Sequence, residues 1–192
     1  MRHGVRGLPG HAAWRRHRVL RGRARPAHAL RQTVTRPIEV RRLNSADAPR
    51  MRSIVAMLPP PEWRGENIPR RAHFARALAD PAVYVFAAFE GERPAGFVSA
   101  YRFPSLTEEC DLVYIYDVYV APADQASGVG RRLMESVIAA CRRDGATEAW
   151  VGTDLDNQAA QRLFMSAGAT GAGQDYVQFE FDLAAAGGEE KA

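Results

Sequence analysis

The spacing of apolar positions changes several times along the chain. Runs of β-branched and aromatic residues bounded by turn residues predict strands, and apolar residues three and four positions apart predict helices. Pro59 to Pro61 end the first helix, since proline cannot continue one. The predicted strands are 37–43, 83–89, 95–103, 112–120, 147–153 and 176–183, and the predicted helices are 44–58, 73–79, 128–143 and 158–167.

The order of these elements indicates the fold class. The strands 83–89 and 95–103 are joined by a short turn at 90–94 and are therefore expected to pair antiparallel. From residue 112 onwards, strands alternate with helices. A meander followed by such an alternation predicts an α/β (α+β) fold with a partly antiparallel sheet.

The turn between the strand 112–120 and the helix 128–143 has the chemistry of an anion site. It reads QASGVG over 125–130, and its glycines, Gly128 and Gly130, let a backbone approach a ligand closely. The first amides of the helix and its dipole attract an anion, most often phosphate. The alternative is an ordinary strand–helix connection whose glycines serve packing. A dinucleotide-binding or nucleotide triphosphatase turn is disfavoured, because the third glycine and the Gly-Lys-Ser/Thr are missing.

Charge is distributed unevenly along the 192 residues. Residues 1–36 contain ten arginines, four histidines and no acid, so residues 37–192 hold 16 basic and 22 acidic residues, a net charge of −6. A basic arm can bind nucleic acid or an anionic membrane. This one has no periodic apolar face, and we favour a disordered extension without a nucleic-acid partner. The acidic remainder favours cationic partners.

Cysteine usage and hydropathy bear on the compartment and the domain organisation. Cys110 and Cys141 are too few for a disulfide framework, so a reduced, cytoplasmic location is expected. No stretch is long and apolar enough to span a membrane, and no membrane partner is expected. We therefore expect a basic extension over 1–36, one domain over 37–183 and a flexible tail over 184–192.

Two motifs, in this order, resemble the GNAT acetyltransferase superfamily. The segment 125–130 resembles its Arg/Gln-x-x-Gly-x-Gly/Ala signature, and VYVAP at 118–122 precedes it. The segment 157–168, NQAAQRLFMSAG, resembles the Asn-x-x-Ala-x-x-Leu-Tyr-x-x-x-Gly pattern, except that Phe164 replaces the tyrosine. The resemblance implies a mixed, mostly antiparallel sheet that is splayed at its central strands and has helices on both faces.

A finer resemblance covers about residues 80–183. YVFAAF at 84–89, SAY at 99–101, YIYD at 114–117 and QFEFD at 178–182 look like the type I aminoglycoside 3-N-acetyltransferases. This resemblance implies acetyl-CoA as cosubstrate without a metal, a cationic aminoglycoside as acceptor, and a homodimer. Two alternatives stay open. One is an N-acetyltransferase for a polyamine, an amino-acid derivative or a protein N-terminus, and the other is a non-catalytic acyl-CoA-binding protein.

The resemblance also implies roles for individual residues towards acetyl-CoA. The strand residues 118–120 would hydrogen-bond the pantetheine arm, and the amides of 125–131 would hold the pyrophosphate. The amide of Val118 would polarise the thioester carbonyl and stabilise the oxyanion. The implied cofactor-binding residues are Val118, Tyr119, Val120, Gln125, Ala126, Ser127, Gly128, Val129, Gly130, Arg131, Asn157, Ala160 and Phe164.

Asp117 is the candidate general base, since amine acetylation needs a group that takes the proton of the amine. It lies in an otherwise apolar strand, where an unpaired carboxylate is costly. The alternative is a structural aspartate that bonds the backbone or an arginine. Phe164 cannot protonate a leaving thiolate, so water or a hydroxyl such as that of Tyr119 would do so, or the thiolate leaves unprotonated.

Acids near the expected cleft are candidates for binding the acceptor. Each could be an ordinary solvated charge, but together they suit a polycation. Tyr116 is expected to form a wall of the site, on the face opposite to Asp117 unless the strand bulges. The candidate substrate-binding residues are Tyr116, Asp154, Asp156, Glu180 and Asp182.

Overall fold

A five-stranded mixed sheet in the order β1-β2-β3-β4-β5 organises the part of the chain that the computed structural model describes, residues 37–59 and 68–171. β1 to β4 pair antiparallel, and β5 adds parallel to β4. This arrangement confirms the predicted fold class. The strands are β1 Ile38–Arg42, β2 Val83–Glu90, β3 Arg93–Pro104, β4 Asp111–Val120 and β5 Ala146–Val151.

Four α-helices of the described ranges lie on the two faces of the sheet. Asn44 and Asp47 form a capping box ahead of α1, and Pro49 occupies its first turn. The predicted helix 44–58 is therefore a short 3-10 turn, Ser45–Asp47, followed by α1. The helices are α1 Ala48–Met57, α2 Arg71–Ala79, α3 Val129–Arg143 and α4 Gln158–Ser166.

Two apolar cores form because both faces of the sheet are covered. On one face, Val85, Ala87 and Phe89 of β2 belong to the core that includes residues of α1 and α2. On the other face, Tyr84 and Phe86 belong to the core that includes α3. Burial on both faces explains why β2 reads as a continuous apolar run instead of alternating apolar and polar positions.

β4 separates from β5 before it separates from β3. The pairs between β4 and β5 end at Ile115 with Val151, whereas β4 continues to Val120 against β3. The sheet is therefore splayed between β4 and β5, as the resemblance implied. The predicted strand 176–183 lies outside the described residues.

β4 also contains a β-bulge. Ser99 pairs with Asp117, but the next residue of β3, Ala100, pairs with Ile115, so Tyr116 is the extra residue of β4. Tyr116 is in ring contact with Tyr114, which lies on the α1 and α2 face. The bulge thus places Tyr116 and Asp117 on the same face of the sheet. Strict alternation would have placed them on opposite faces, and a bulge was the stated exception.

Candidate active site

Asp117 follows the bulge of β4 and is held by Ser99 of β3. The Ser99 hydroxyl donates to Asp117 Oδ2 at 2.5 Å and accepts the Asp117 N–H at 3.2 Å. Burial raises the pKa of the Asp117 carboxyl above its ordinary value, and the Ser99 hydrogen bond lowers it in part. Among the described residues, no ion pair involves Asp117. A carboxylate with a raised pKa is better suited to accept a proton near neutral pH.

The backbone of β4 presents groups to the side from which β5 has separated. The N–H of Asp117 bonds Ser99 of β3, and the N–H of Ala121 donates to the Ala95 carbonyl of β3 at 2.8 Å. Successive peptide groups of a strand point to opposite edges. The N–H of Val118 therefore points away from β3, into the split between β4 and β5. The carbonyl of Val120 points the same way and accepts the Gln125 side-chain amide at 3.3 Å.

The turn after β4 leads into the N-terminus of α3 through left-handed backbone. Gly128, the N-cap residue, has φ 87° and ψ −2°, and Ala126 has φ 58°. The Arg132 N–H donates to the Gly128 carbonyl at 3.1 Å, so the amides of residues 129–131 precede the hydrogen bonds of the helix. Such amides and the helix dipole suit an anion. Arg131 is exposed and pairs with Glu135 at 2.7 Å.

Gly130 has a packing role, which was the alternative for the glycines of this turn. A Cβ at this position would lie 3.1 Å from Leu163 Cδ2 of α4 and 3.4 Å from Val120 Cγ2 of β4. At Gly128 a Cβ would meet nothing within 4 Å. Glycine is therefore favoured there by the positive φ of the backbone and not by a lack of space for a side chain. Gly130 thus lets α3, α4 and the end of β4 approach one another.

The three predicted cofactor residues of the second motif also have roles in the fold. Asn157 caps α4, because its Oδ1 accepts the Ala160 N–H at 3.2 Å and its amide donates to Thr153 Oγ1 at 2.9 Å. Ala160 packs against the α3-side core, and Phe164 is buried in it. Their contact with acetyl-CoA stays a prediction.

The structure describes two of the four predicted acceptor acids. Asp154 is half-buried and Asp156 is exposed, and both lie in the loop between β5 and α4. Glu180 and Asp182 fall outside the described residues. The ring of Tyr119 lies 6.3 Å from that of Phe97, on the α1 and α2 face.

Arg93 and Asp124 form an ion pair that the sequence did not reveal. Two guanidinium nitrogens of Arg93 donate to the two carboxylate oxygens of Asp124 at 2.7 and 2.8 Å. Hydrogen bonding to Arg93 lowers the pKa of the buried Asp124 carboxyl. The Asp124 carbonyl accepts the Ser127 hydroxyl at 2.5 Å. This pair therefore anchors the turn 125–128 to the β2–β3 hairpin.

Replacing Arg93 by Ala is expected to lower the free energy of unfolding by about 1–3 kcal/mol, because it leaves a buried carboxylate without its partner. A depressed pKa contributes stability above the ordinary carboxyl pKa, and that stability is lost as pH falls through the lowered value. The difference in free energy of unfolding between the wild type and Arg93→Ala, measured by urea denaturation, should therefore become smaller at acidic pH. The exposed Arg50 pair with Glu92 is the control, and Arg50→Ala should cost at most about 1 kcal/mol. Equal losses for both variants would contradict the anchoring role.

Two observations concern other kinds of site. Within residues 37–59 and 68–171, no group of three or more histidine, cysteine or acidic side chains could hold a metal ion. In the same ranges, none of the helices has the length and apolarity needed to cross a membrane.

Residues 48–169 match the acetyltransferase (GNAT) family. The chain belongs to this family. An uncharacterized N-acetyltransferase of Mycobacterium tuberculosis is 30% identical over 97 residues, which are 50% of this chain and 59% of the relative. The match thus spans less than two thirds of that relative. Members of the GNAT family use acetyl-CoA. The amides at the N-terminus of α3 and the split between β4 and β5 are the candidate features for binding that ligand.

Solved GNAT structures share the fold. An aminoglycoside acetyltransferase from an uncultured soil metagenomic sample, in complex with trehalose, has a TM-score of 0.67 and 26% identity over 76% of this chain and 96% of that chain. Its complex with sisomicin has a TM-score of 0.65 and 24% identity, with the same coverage. An aminoglycoside N-acetyltransferase in complex with CoA has a TM-score of 0.63 and 18% identity over 79% of this chain and 99% of that chain.

Proposed function

We propose that the protein transfers the acetyl group of acetyl-CoA to an amine of an aminoglycoside. One observation carries the proposal. The half-buried Asp117, with its raised pKa, lies on β4 just beyond the last pair between β4 and β5, and β4 leads through the turn at 125–128 into α3. When bound, acetyl-CoA supplies a thioester whose carbonyl carbon bonds the amine nitrogen as the C–S bond breaks, which gives an N-acetylated amine and a free thiol.

The residues fit both ends of acetyl-CoA. The amides of residues 129–131 and the left-handed Gly128 suit the pyrophosphate. The outward peptide groups of Val118 and Val120 suit the pantetheine arm, which carries amide groups of its own. The Val118 N–H would also donate to the thioester oxygen, on which negative charge develops.

Asp117 has the proton-accepting role in this proposal. The amine must lose a proton to become an N-acetyl amide, and the Asp117 carboxylate takes it. The Ser99 hydroxyl fixes the position of Oδ2, so the other oxygen, Oδ1, is the one that would face the amine. Phe164 stands at the tyrosine position of the family and has no proton to donate. A free cysteine thiol has a pKa of only about 8.5, so a thiol of this kind can leave as the thiolate.

The acceptor class is supported by similarity and by charge. The soil-sample enzyme that is 26% identical is an aminoglycoside acetyltransferase. The net charge of −6 over residues 37–192 favours a polycation. Asp154, Asp156, Glu180 and Asp182 stay the candidate acids for its ammonium groups. By its resemblance to the type I enzymes, the acetyl group is proposed to go to the 3-amino group.

Thiol release from acetyl-CoA across a panel of amines tests this function. The panel contains sisomicin, spermidine, butylamine and a peptide with a free N-terminus. We expect the highest kcat/KM for sisomicin, and its KM should rise with salt, because screening acts over about 8 Å near physiological ionic strength. NMR of the product would locate the acetyl group. Efficient acetylation of the peptide or butylamine without acetylation of sisomicin would show that the acceptor is another amine and not an aminoglycoside.

A further inference from the structure

The turn that leads into α3 has a backbone conformation that its own residues do not favour. Ala126 has a φ of 58°, in the left-handed region that is unfavourable for a residue with a Cβ. The side chains of residues 125–128 are exposed, so burial of their apolar surface contributes little to this conformation. Hydrogen bonds to neighbouring parts of the fold are therefore needed to hold the turn in one shape.

Asp124 connects this turn to the rest of the fold. Its carboxylate accepts two hydrogen bonds from Arg93, and its carbonyl accepts the hydroxyl of Ser127. The side chain of Asp124 keeps only 11% of its surface exposed, so salt screens this ion pair less than it screens a pair in open solvent. The carboxylate of Asp124 is thus fixed by the β2–β3 hairpin, while its backbone carbonyl fixes the turn.

Arg93 is itself held in place within the hairpin. Its Nε donates to Glu90 Oε2 at 3.2 Å, and Glu90 is its cross-strand partner. The strand that begins at Arg93 runs close to the end of β4, since a Cβ at Gly96 would lie 2.6 Å from the Tyr119 carbonyl oxygen. A guanidinium bonded to two carboxylates has a fixed position, because its planar fork of donors matches the geometry of a carboxylate.

We propose that Arg93 is a positioning residue for the cosubstrate: through Asp124 it keeps the turn at 125–128 in the shape that presents the first amides of α3 to the pyrophosphate of acetyl-CoA. The inference rests on the proposed function and adds to it a residue that acts through another side chain. A ligand that binds one shape of a turn loses affinity in proportion to the fraction of molecules without that shape. If roughly 3–30% of the molecules keep the shape without Arg93, the dissociation constant rises about 3- to 30-fold.

Asp124→Asn separates positioning from charge. The variant keeps the size of the side chain but loses the charge-assisted, two-pronged pairing with Arg93. It also removes a negative charge four residues before Gly128. If the pair acted on acetyl-CoA through its charge alone, the variant would bind the anionic cosubstrate more tightly than the wild type. Positioning predicts the opposite sign, an affinity for acetyl-CoA that is about 3- to 10-fold lower.

A comparison of acetyl-CoA with S-acetylpantetheine separates positioning from a general loss of structure. Both carry the same thioester, but S-acetylpantetheine lacks the pyrophosphate. Arg93→Ala should lower kcat/KM for acetyl-CoA by about 3- to 30-fold and keep kcat/KM for S-acetylpantetheine within about twofold of the wild type. Calorimetry should show the same loss of affinity for acetyl-CoA. The matched control, Arg50→Ala, removes the ion pair between α1 and Glu92 of the same hairpin and should leave both values unchanged.

An unchanged affinity of Arg93→Ala for acetyl-CoA would overturn the proposal. So would equal losses of kcat/KM for the two thioesters, or tighter binding of acetyl-CoA by Asp124→Asn. If the wild type binds acetyl-CoA but acetylates no amine, the proposed function fails, and calorimetry of the variants still decides on Arg93. If the wild type does not bind acetyl-CoA, both fail, but NMR still tests the anchor. The backbone order parameters of residues 125–128 should fall in Arg93→Ala and not in Arg50→Ala.

Discussion

Asp117→Asn is expected to lower kcat by about 100-fold or more, the usual loss when a general base is removed. The affinity for acetyl-CoA should be nearly unchanged, because the variant keeps the shape of the side chain and its oxygen can still accept the Ser99 hydroxyl. Thiol release with saturating amine measures kcat, and calorimetry measures the affinity. Glu39→Gln, which neutralises an exposed acid of β1, is the control and should retain full activity. Turnover within a few-fold of wild type would assign the deprotonation to water or another carboxylate.

The stability of the same variant separates a catalytic from a structural aspartate. Because the folded-state pKa of Asp117 is raised, the folded protein binds its proton more tightly than the unfolded chain does. The free energy of unfolding therefore falls as pH rises from the ordinary carboxyl pKa through the raised value. Above that range, Asp117→Asn should be at least as stable as the wild type in urea denaturation. A marked loss of stability would indicate a structural role.

Ser99 offers an independent test of the pair. Its hydrogen bond stabilises the Asp117 carboxylate and so opposes the effect of burial on the pKa. In Ser99→Ala the Asp117 pKa should rise further, and the acidic limb of the kcat/KM profile should move to higher pH. An acidic limb at the same pH in Ser99→Ala as in the wild type would show that the kcat/KM profile reports the titration of a group other than Asp117.

Gly128→Asp is expected to weaken acetyl-CoA binding by about tenfold to 100-fold relative to Gly128→Asn. Both side chains have the same size, and both residue types tolerate the left-handed backbone of Gly128 better than most. A Cβ meets nothing within 4 Å at this position, so neither variant should disturb packing. The pair therefore isolates one negative charge beside the proposed pyrophosphate, which costs about 1–3 kcal/mol at the effective dielectric of a protein surface.

Calorimetry with acetyl-CoA at low and high salt measures this difference. Because the effect is electrostatic, the ratio between the two variants should shrink as salt rises. Equal affinities of the Asp and Asn variants for acetyl-CoA would contradict the proposal that the pyrophosphate binds at the N-terminus of α3. A loss that is equally large in both variants would point to backbone strain at Gly128 instead.

The sequence predicted most elements of the described fold because their apolar periods are clear. The strand at 112–120 and the helix at 128–143 differ from β4 and α3 by a single residue at their first positions. Asp117 and the turn at 125–130 could be singled out because an acid in an apolar strand and glycines after a strand are local signals. Gly96 was missed, although a Cβ there would lie 2.6 Å from the Tyr119 carbonyl oxygen, because that contact depends on the neighbouring strand.

Other features depend on pairing between distant segments. The bulge at Tyr116 follows from the register between β3 and β4, which no pattern within β4 specifies. Arg93 and Asp124 are 31 residues apart, and each alone resembles an ordinary surface charge.

The most direct test of the proposed acetyl transfer is mass spectrometry of sisomicin after incubation with acetyl-CoA and the full chain. We predict that sisomicin gains one acetyl group, that one thiol is released for each acetyl group gained, and that Asp117→Asn forms the product about 100-fold more slowly or worse. Unmodified sisomicin in the presence of an enzyme that binds acetyl-CoA would contradict the account. So would acetylated sisomicin that forms equally fast with Asp117→Asn.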